Sequence, residues 1–325
     1  MMRRTDPFPA RAQSRIVRSP GVLERSFDVL FRHLTQLCAV TLSLLLLWLL
    51  WEIGGEAVPA LAKHGLDFLV GTVWDPNRGE FGILPQIWGT LYSSGLGLLL
   101  GGFFGIAIAL FLTQGFLPRN AALVLRNTVE LLAAIPSVVY GLWGIYVVIP
   151  AIRPAAGWLY EQLSWIPFFS TSLSGPGLLP AVIVLAIMIL PTVAALSQDA
   201  LRAVPARTIE AVYGMGATRW EAITRVIVPT ASRGIFGALV LGLGRALGET
   251  MALTMLLGNA NQISLSLFAP SSTLASLLAL NFTEAGQLEI EALMYAALVL
   301  LLITLMVNLL GSAIVRRSPT PSEQR

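Results

Sequence analysis

Six stretches of this chain are each long and apolar enough to cross a lipid bilayer, and that feature limits the possible fold more than any other. A bilayer core about 30 Å thick needs about 20 predominantly apolar residues per helix. Runs that meet this requirement lie near residues 34–56, 85–113, 124–150, 180–198, 234–257 and 292–315. Together they account for a composition that is 55% hydrophobic and only 12% charged, more apolar surface than a soluble fold can hide from water. The chain is therefore expected to be an all-α polytopic membrane protein with six spans and both termini on one side.

Arginine sets which side. Seven Arg fall in residues 1–33, two at Arg119 and Arg126, five between Arg202 and Arg233, and three after Val315. The intervening connections hold only Lys63, Arg78 and Arg153. The positive-inside rule then puts both termini in the cytoplasm. Residues 1–33, with three acids and three Pro among the Arg, read as a partly disordered cytoplasmic tail. A first span and outer loop follow over 34–84, then a transmembrane body over 85–317 and a second tail at 318–325. The first apolar run is followed by Glu52 and Glu56 instead of a small-residue cleavage site, so it is expected to remain as a span.

Much chemistry is excluded. The net charge of +3 follows the topology, and no basic patch interleaved with aromatics suggests nucleic acid. The single Cys38 allows no internal disulfide, Cys metal site or redox pair. There is no G-x-x-x-x-G-K-[ST] phosphate loop, and the one lysine, Lys63, is followed by His64, so the chain is not expected to hydrolyse ATP by that route. His33 and His64 stand in separate connections, without metal-ligand or nucleophile–base spacing. Neither catalytic residues nor a cofactor or metal are expected.

Within the spans, Gly97, Gly101 and Gly105 recur every four residues, and Gly244 and Gly248 repeat that spacing, which lets helix backbones approach closely. Pro136 is expected to kink or interrupt the third span. The outer connection 151–177 carries Trp158, Tyr160, Trp165, Phe168 and Phe169, suited to the membrane interface and to docking of an external partner. Arg245 and Glu249 lie inside the fifth run, where an ionised side chain costs about 2.5–3.5 kcal/mol on insertion scales and usually points into the bundle. Their i, i+4 spacing puts them on one helix face, able to pair. Arg126 and Glu130 repeat the spacing near the end of the third run, as a snorkelling surface pair. Ser137 and Tyr140 flank the Pro136 kink and offer hydroxyls, whose more ordinary use is bonding to neighbouring helices.

One connection carries a recognisable pattern. After Asp199-Ala-Leu-Arg-Ala-Val-Pro205 comes Glu210-Ala-Val-Tyr-Gly-Met-Gly-Ala-Thr-Arg-Trp220, ending in Val226-Ile-Val-Pro229. This resembles the EAA loop of type I ABC importer permeases, with Glu210, Ala211, Gly216 and Pro229 at the matching offsets and Val212 in place of the second Ala. It reads as two short helices with Gly214, Gly216 and Ala217 at the bend, a compact knob for a groove on another protein. The resemblance implies that the groove belongs to an ATPase subunit, with Glu210 and Arg219 as charged contacts at its rim.

Three further stretches, Ile135-Pro-Ser-Val-Val-Tyr-Gly-Leu-Trp-Gly144, Ile187-Met-Ile-Leu-Pro-Thr192 and Gly244-Arg-Ala-Leu-Gly-Glu-Thr-Met251, are similar to the PstC permeases of phosphate importers. The resemblance covers most of residues 85–317, with the coupling loop at 210–229, and is weak in 1–33 and 59–83. It implies a non-catalytic, inner-membrane permease subunit that forms half of a phosphate pathway. Its implied partners are a PstA-like permease, an ATPase dimer and an extracytoplasmic phosphate-binding protein. Arg245 and Glu249 would line the pathway, Arg giving two hydrogen bonds to phosphate oxygens, with Ser137 and Tyr140 adding hydroxyls. A structural ion pair is the other meaning of Arg245 and Glu249. The rival functions are an ABC permease for sulfate or molybdate, an ion-coupled secondary transporter, and a membrane subunit that senses phosphate without carrying it.

Overall fold

The computed structural model describes residues 21–317. Residues 1–20 of the first expected tail and the whole of the second, 318–325, lie outside the described residues, and the rest of the first tail is helical from Val22, where a partly disordered segment was expected. The chain divides into two units, 1–52 and 53–325. In the first, the described residues are helical from Val22, within helix α1 (Val22–His64). Its large side chains, such as Leu42 and Trp48, are exposed, as is Cys38, the pattern of a helix that faces lipid.

The second unit continues from α1 through the short α2 (Asp67–Val70) into a two-strand hairpin, β1 (Trp74–Asp75) with β2 (Glu80–Phe81). The helices α3 (Leu84–Thr113), α4 (Arg119–Ala134), α5 (Ser137–Trp143) and α6 (Ile149–Leu163) follow. Then come α7 (Leu178–Arg202), α8 (Ala206–Gly214), α9 (Arg219–Ala222) and α10 (Val228–Leu247). The chain ends through α11 (Met251–Leu256), α12 (Leu274–Asn281) and α13 (Gln287–Arg317). Among the described residues, six helical segments have the length and hydropathy of a span: Ser26–His64, Leu84–Thr113, Ser137–Leu163, Leu178–Arg202, Arg219–Leu247 and Gln287–Ile314.

The centre of the body is α7, whose apolar segment is the most buried of the six. Its Val184, Leu185, Met188 and Ile189 pack with Leu253, Leu256 and Leu257. α3 crosses α7 closely because the expected glycine stripe lies at the contact. A methyl group on Gly101 would come 2.5 Å from the Ala186 carbonyl oxygen, and one on Gly105 3.0 Å from Val193 Cβ. Such an approach replaces the hydrophobic drive that is missing between helices in lipid. The outer loop 59–83, to which the sequence assigned nothing, is a packed cap. Phe68 stacks on Tyr295 at 4.4 Å, and Trp74 Nε1 donates to Glu289.

Two expectations about the spans are corrected. The third span is Ser137–Leu163, displaced from 124–150, and takes in much of the supposed outer connection, including Arg153, Trp158 and Tyr160. The reason is Pro136, which has no N–H to continue α4 and becomes the residue preceding α5. The fifth run is not one helix either. It ends at Leu247 and resumes at Met251, so residues 248–250 form a break.

Proline also accounts for two π-helical turns, Gly144–Val148 and Ile223–Ile227. Each is followed within two residues by a proline, Pro150 or Pro229. A proline clashes with the carbonyl four residues back, and a wider turn relieves that clash. In both turns the N–H just after the turn bonds the carbonyl five residues earlier, Ile149 to Gly144 and Val228 to Ile223.

Candidate functional site

Two interruptions bring polar groups together on the face of α7. α4 stops at Ala134, where Ile135 turns extended ahead of Pro136, and α10 stops at Leu247. The segments beyond the breaks, α5 and α11, pack on each other and on α7. A methyl group on Gly141 would meet Met255 Sδ at 2.6 Å. Irregular backbone at membrane depth is tolerated where it is buried in protein or lines a cavity, and paired breaks are a recurrent way to build a transport site.

Arg245 sits in the last turn of α10, exposed in the isolated chain, and its Nη1 donates to Thr192 Oγ1 on α7 at 3.1 Å. The expected Arg245–Glu249 pair does not form, because the helix ends between the two residues and the i, i+4 geometry is lost. Glu249 Oε1 instead accepts from Ala252 N–H at 3.3 Å, satisfying a donor in the first turn of α11. Among the described residues the ion pairs are Arg78–Asp75 and Arg126–Glu130, the latter at 2.8 Å and exposed as expected. Arg245 is therefore a cation whose fork is not already held by a carboxylate. A reading of the sequence missed Thr192, although it lies in a quoted stretch. A hydroxyl one residue after Pro191 in an apolar span was the signal available.

Tyr140 makes the more ordinary bond, to a neighbouring helix. It is buried, and its hydroxyl donates at 2.8 Å to the Leu132 carbonyl, which Pro136 has no N–H to bond and which otherwise accepts only a long bond from Ile135 N–H, at 3.5 Å, among the described residues. Tyr140→Phe is expected to lower stability by about 0.5–1.5 kcal/mol, the net worth of one hydrogen bond, and to leave the half-saturating substrate concentration unchanged. Thermal unfolding and uptake kinetics on the same preparation check both. Ser137 starts α5 and is half-buried.

The expected coupling loop is two short helices joined by a tight bend. Glu210, Ala211 and Gly214 lie on α8, and Met215 N–H closes its end on the Ala211 carbonyl at 3.1 Å. Gly216 takes φ +81, a left-handed conformation that costs a residue with a side chain about 1 kcal/mol or more. Ala217 N–H then bonds the Val212 carbonyl at 3.3 Å. Thr218 opens α9 with a reciprocal capping box to Glu221, and α9 runs through the π turn and Pro229 into α10 as one continuous helical segment. Val212, which replaces a family Ala, is buried, and Met215 and Trp220 are left 80% and 72% exposed.

Arg219 is not a free rim charge. Its guanidinium lies over the Phe116 ring, 4.8 Å from the centroid, and its Nη2 donates to the Gly115 carbonyl at 3.4 Å. It therefore ties the loop to the α3–α4 turn. The exposed apolar tips Met215 and Trp220 were quoted in the motif but assigned no role.

Comparison with known proteins places this arrangement. Residues 101–318 match the family described as binding-protein-dependent transport system inner membrane component. The phosphate transport system permease protein PstC of Haemophilus influenzae is 40% identical over 298 residues, 89% of this chain and 93% of that protein. The PstC of Mesorhizobium japonicum is 38% identical over 86% of this chain and 87% of its own length. Among solved structures, a bacterial alginate ABC transporter in complex with its periplasmic protein aligns with TM-score 0.62 at 19% identity, covering 89% of this chain and 96% of that one. The MetNI methionine ABC transporter in an inward-facing conformation aligns with TM-score 0.55 at 18% identity, covering 73% and 96%. These two likenesses establish the type I ABC importer permease fold. The chain thus belongs to the binding-protein-dependent inner membrane transport components, and within them to the PstC permeases of phosphate transport systems.

Proposed function

We propose that this chain forms half of the pathway of an ATP-driven inorganic phosphate importer and transmits the work of a separate ATPase to that pathway. The observation that carries the reading is Arg245, held toward α7 by Thr192 at the break in α10 with no carboxylate on its fork. A fixed planar guanidinium suits the oxygens of phosphate. Its hydroxyl partner is neutral, so its charge remains available to an anion. Glu249, half-buried across the break, repels an anion and keeps phosphate from being trapped. Ser137 is a further hydroxyl donor on the pathway.

In this reading both termini are cytoplasmic, and the loop from Glu210 to Pro229 seats its tip in an ATPase subunit. A PstA-like permease supplies the other half of the pathway, and a phosphate-binding protein delivers from outside. Closure of the ATPase dimer moves the rigid Arg219–Leu247 segment as a lever, switching the access of Arg245. The test is uptake of radiolabelled phosphate into vesicles holding the reconstituted complex and binding protein, with and without ATP and with excess sulfate. ATP-dependent uptake that sulfate does not compete is the expected result. Uptake without ATP overturns the coupling, and competition by sulfate overturns the substrate.

A further inference from the structure

Below Thr192, two connected clefts run along α7 toward the coupling-loop end of the chain. The first, of 280 Å³ between α4 and α7, extends from Pro191 and Thr192 to Arg202. The second, of 170 Å³, reaches on to Leu112 at the end of α3 and Arg119 at the start of α4. Arg126, Gln198 and Arg202 line both.

The charges are unequally shared between them. The acids Glu130 and Asp199 border the first cleft, so its charges balance. The second is lined by Arg119, Arg126 and Arg202 with no acid. Arg126 is engaged only by Glu130, an exposed ion pair that costs little to rearrange. Arg202 donates weakly to Gln198 Oε1, at 3.4 Å, and among the described residues Arg119 has no hydrogen-bond or ionic partner. Gln198 itself is only 8% exposed; its Oε1 accepts that bond, and its amide nitrogen has no acceptor among the described residues. Three like charges in one cleft repel unless an anion joins them, and the Gln198 amide lines the same space as a further donor.

We propose that Arg119, Arg126, Arg202 and Gln198 hold a phosphate group in this cleft. Three guanidinium forks and one amide match the acceptor oxygens of a tetrahedral oxyanion. The group belongs either to inorganic phosphate, which guanidinium forks bind, or to an anionic lipid headgroup, which basic pockets between helices bind. The choice of ligand rests on the import reading, in which the cleft follows Arg245 on the way inward. Arg219 fixes the turn at Gly115 and Phe116, four residues or fewer before Arg119, so the site borders the element that the coupling loop holds.

Binding is measured apart from transport. In one arm, the purified complex in maltoside detergent, without binding protein, is dialysed against radiolabelled inorganic phosphate. In the other, nanodiscs containing phosphatidylglycerol are examined by native mass spectrometry for retained anionic lipid. Arg119→Gln/Arg202→Gln is expected to lower occupancy at least about tenfold in one of the arms, which identifies the source. Ala122→Phe, which fills the cleft and leaves every charge in place, is expected to do the same. The same comparison is made in the Arg245→Gln background, where phosphate held at Arg245 does not contribute, and the loss in the cleft variants is expected to persist there. Equal occupancy with and without the cleft substitutions in both arms, or a difference that vanishes in the Arg245→Gln background, overturns the proposal.

Discussion

Arg245→Gln is expected to reduce ATP-driven phosphate uptake by about a hundredfold or more, with the amount of assembled complex unchanged. The size follows from the bonds lost. A hydrogen bond to a charged group contributes about 1.5–3 kcal/mol, a fork makes two, and each 1.4 kcal/mol is tenfold. Assembly should survive because the described hydrogen bond of Arg245 is to a hydroxyl, so its removal strands no buried carboxylate. Glu249→Gln is the matched control, since the amide oxygen can still accept from Ala252 N–H and preserve the start of α11. Had Arg245 and Glu249 formed a structural pair, removing either partner would have cost about 3–5 kcal/mol of stability. Size-exclusion recovery together with initial uptake rates separates the two cases. Wild-type uptake by Arg245→Gln would remove the residue from the pathway.

The two meanings of Arg245 could not be separated by reading the chain, and the reason is local. Sequence spacing places Arg245 and Glu249 on one face only if the helix continues through Gly248, and nothing in Gly-Arg-Ala-Leu-Gly-Glu-Thr-Met requires it to stop. The break depends on α11 docking against α5 and α7, a long-range packing choice. Pro136 and Pro229 were more informative, because a missing N–H acts wherever the residue falls. The Pro136 interruption was expected on that ground, although the third span begins after it and not before. The six apolar runs, the close approach at Gly97, Gly101 and Gly105, and the bend at Gly216 were legible for a similar reason. Length, the lack of a side chain and a left-handed φ are properties of the residues themselves. Thr192 as the partner of Arg245, and Phe116 beneath Arg219, join residues 53 and 103 positions apart in the chain. No periodicity reports such pairs.

In the loop from Glu210 to Pro229, proposed above to seat in an ATPase subunit, local and long-range information combine, and its tip gives the other large expected effect. Met215 and Trp220 stand exposed on either side of the Gly216 bend, and Val212 anchors the loop inside. An exposed Trp on a rigid turn is wasteful unless another surface covers it, and aromatic anchors of that kind cost about 2 kcal/mol or more when removed from an interface. Met215→Asp/Trp220→Asp is therefore expected to weaken association of the permease with its ATPase by about a hundredfold or more, since a charge in an apolar groove adds a desolvation cost to the lost contact. Uptake should fall with it. The permease itself should fold normally, because neither side chain is buried and the capping box at Thr218 is untouched. Titrating the purified ATPase onto immobilised permease nanodiscs, wild type against variant, reads the effect directly. Unchanged binding would mean that the ATPase grips another surface, and the lever running from Arg219 into α10 would then have nothing to drive it.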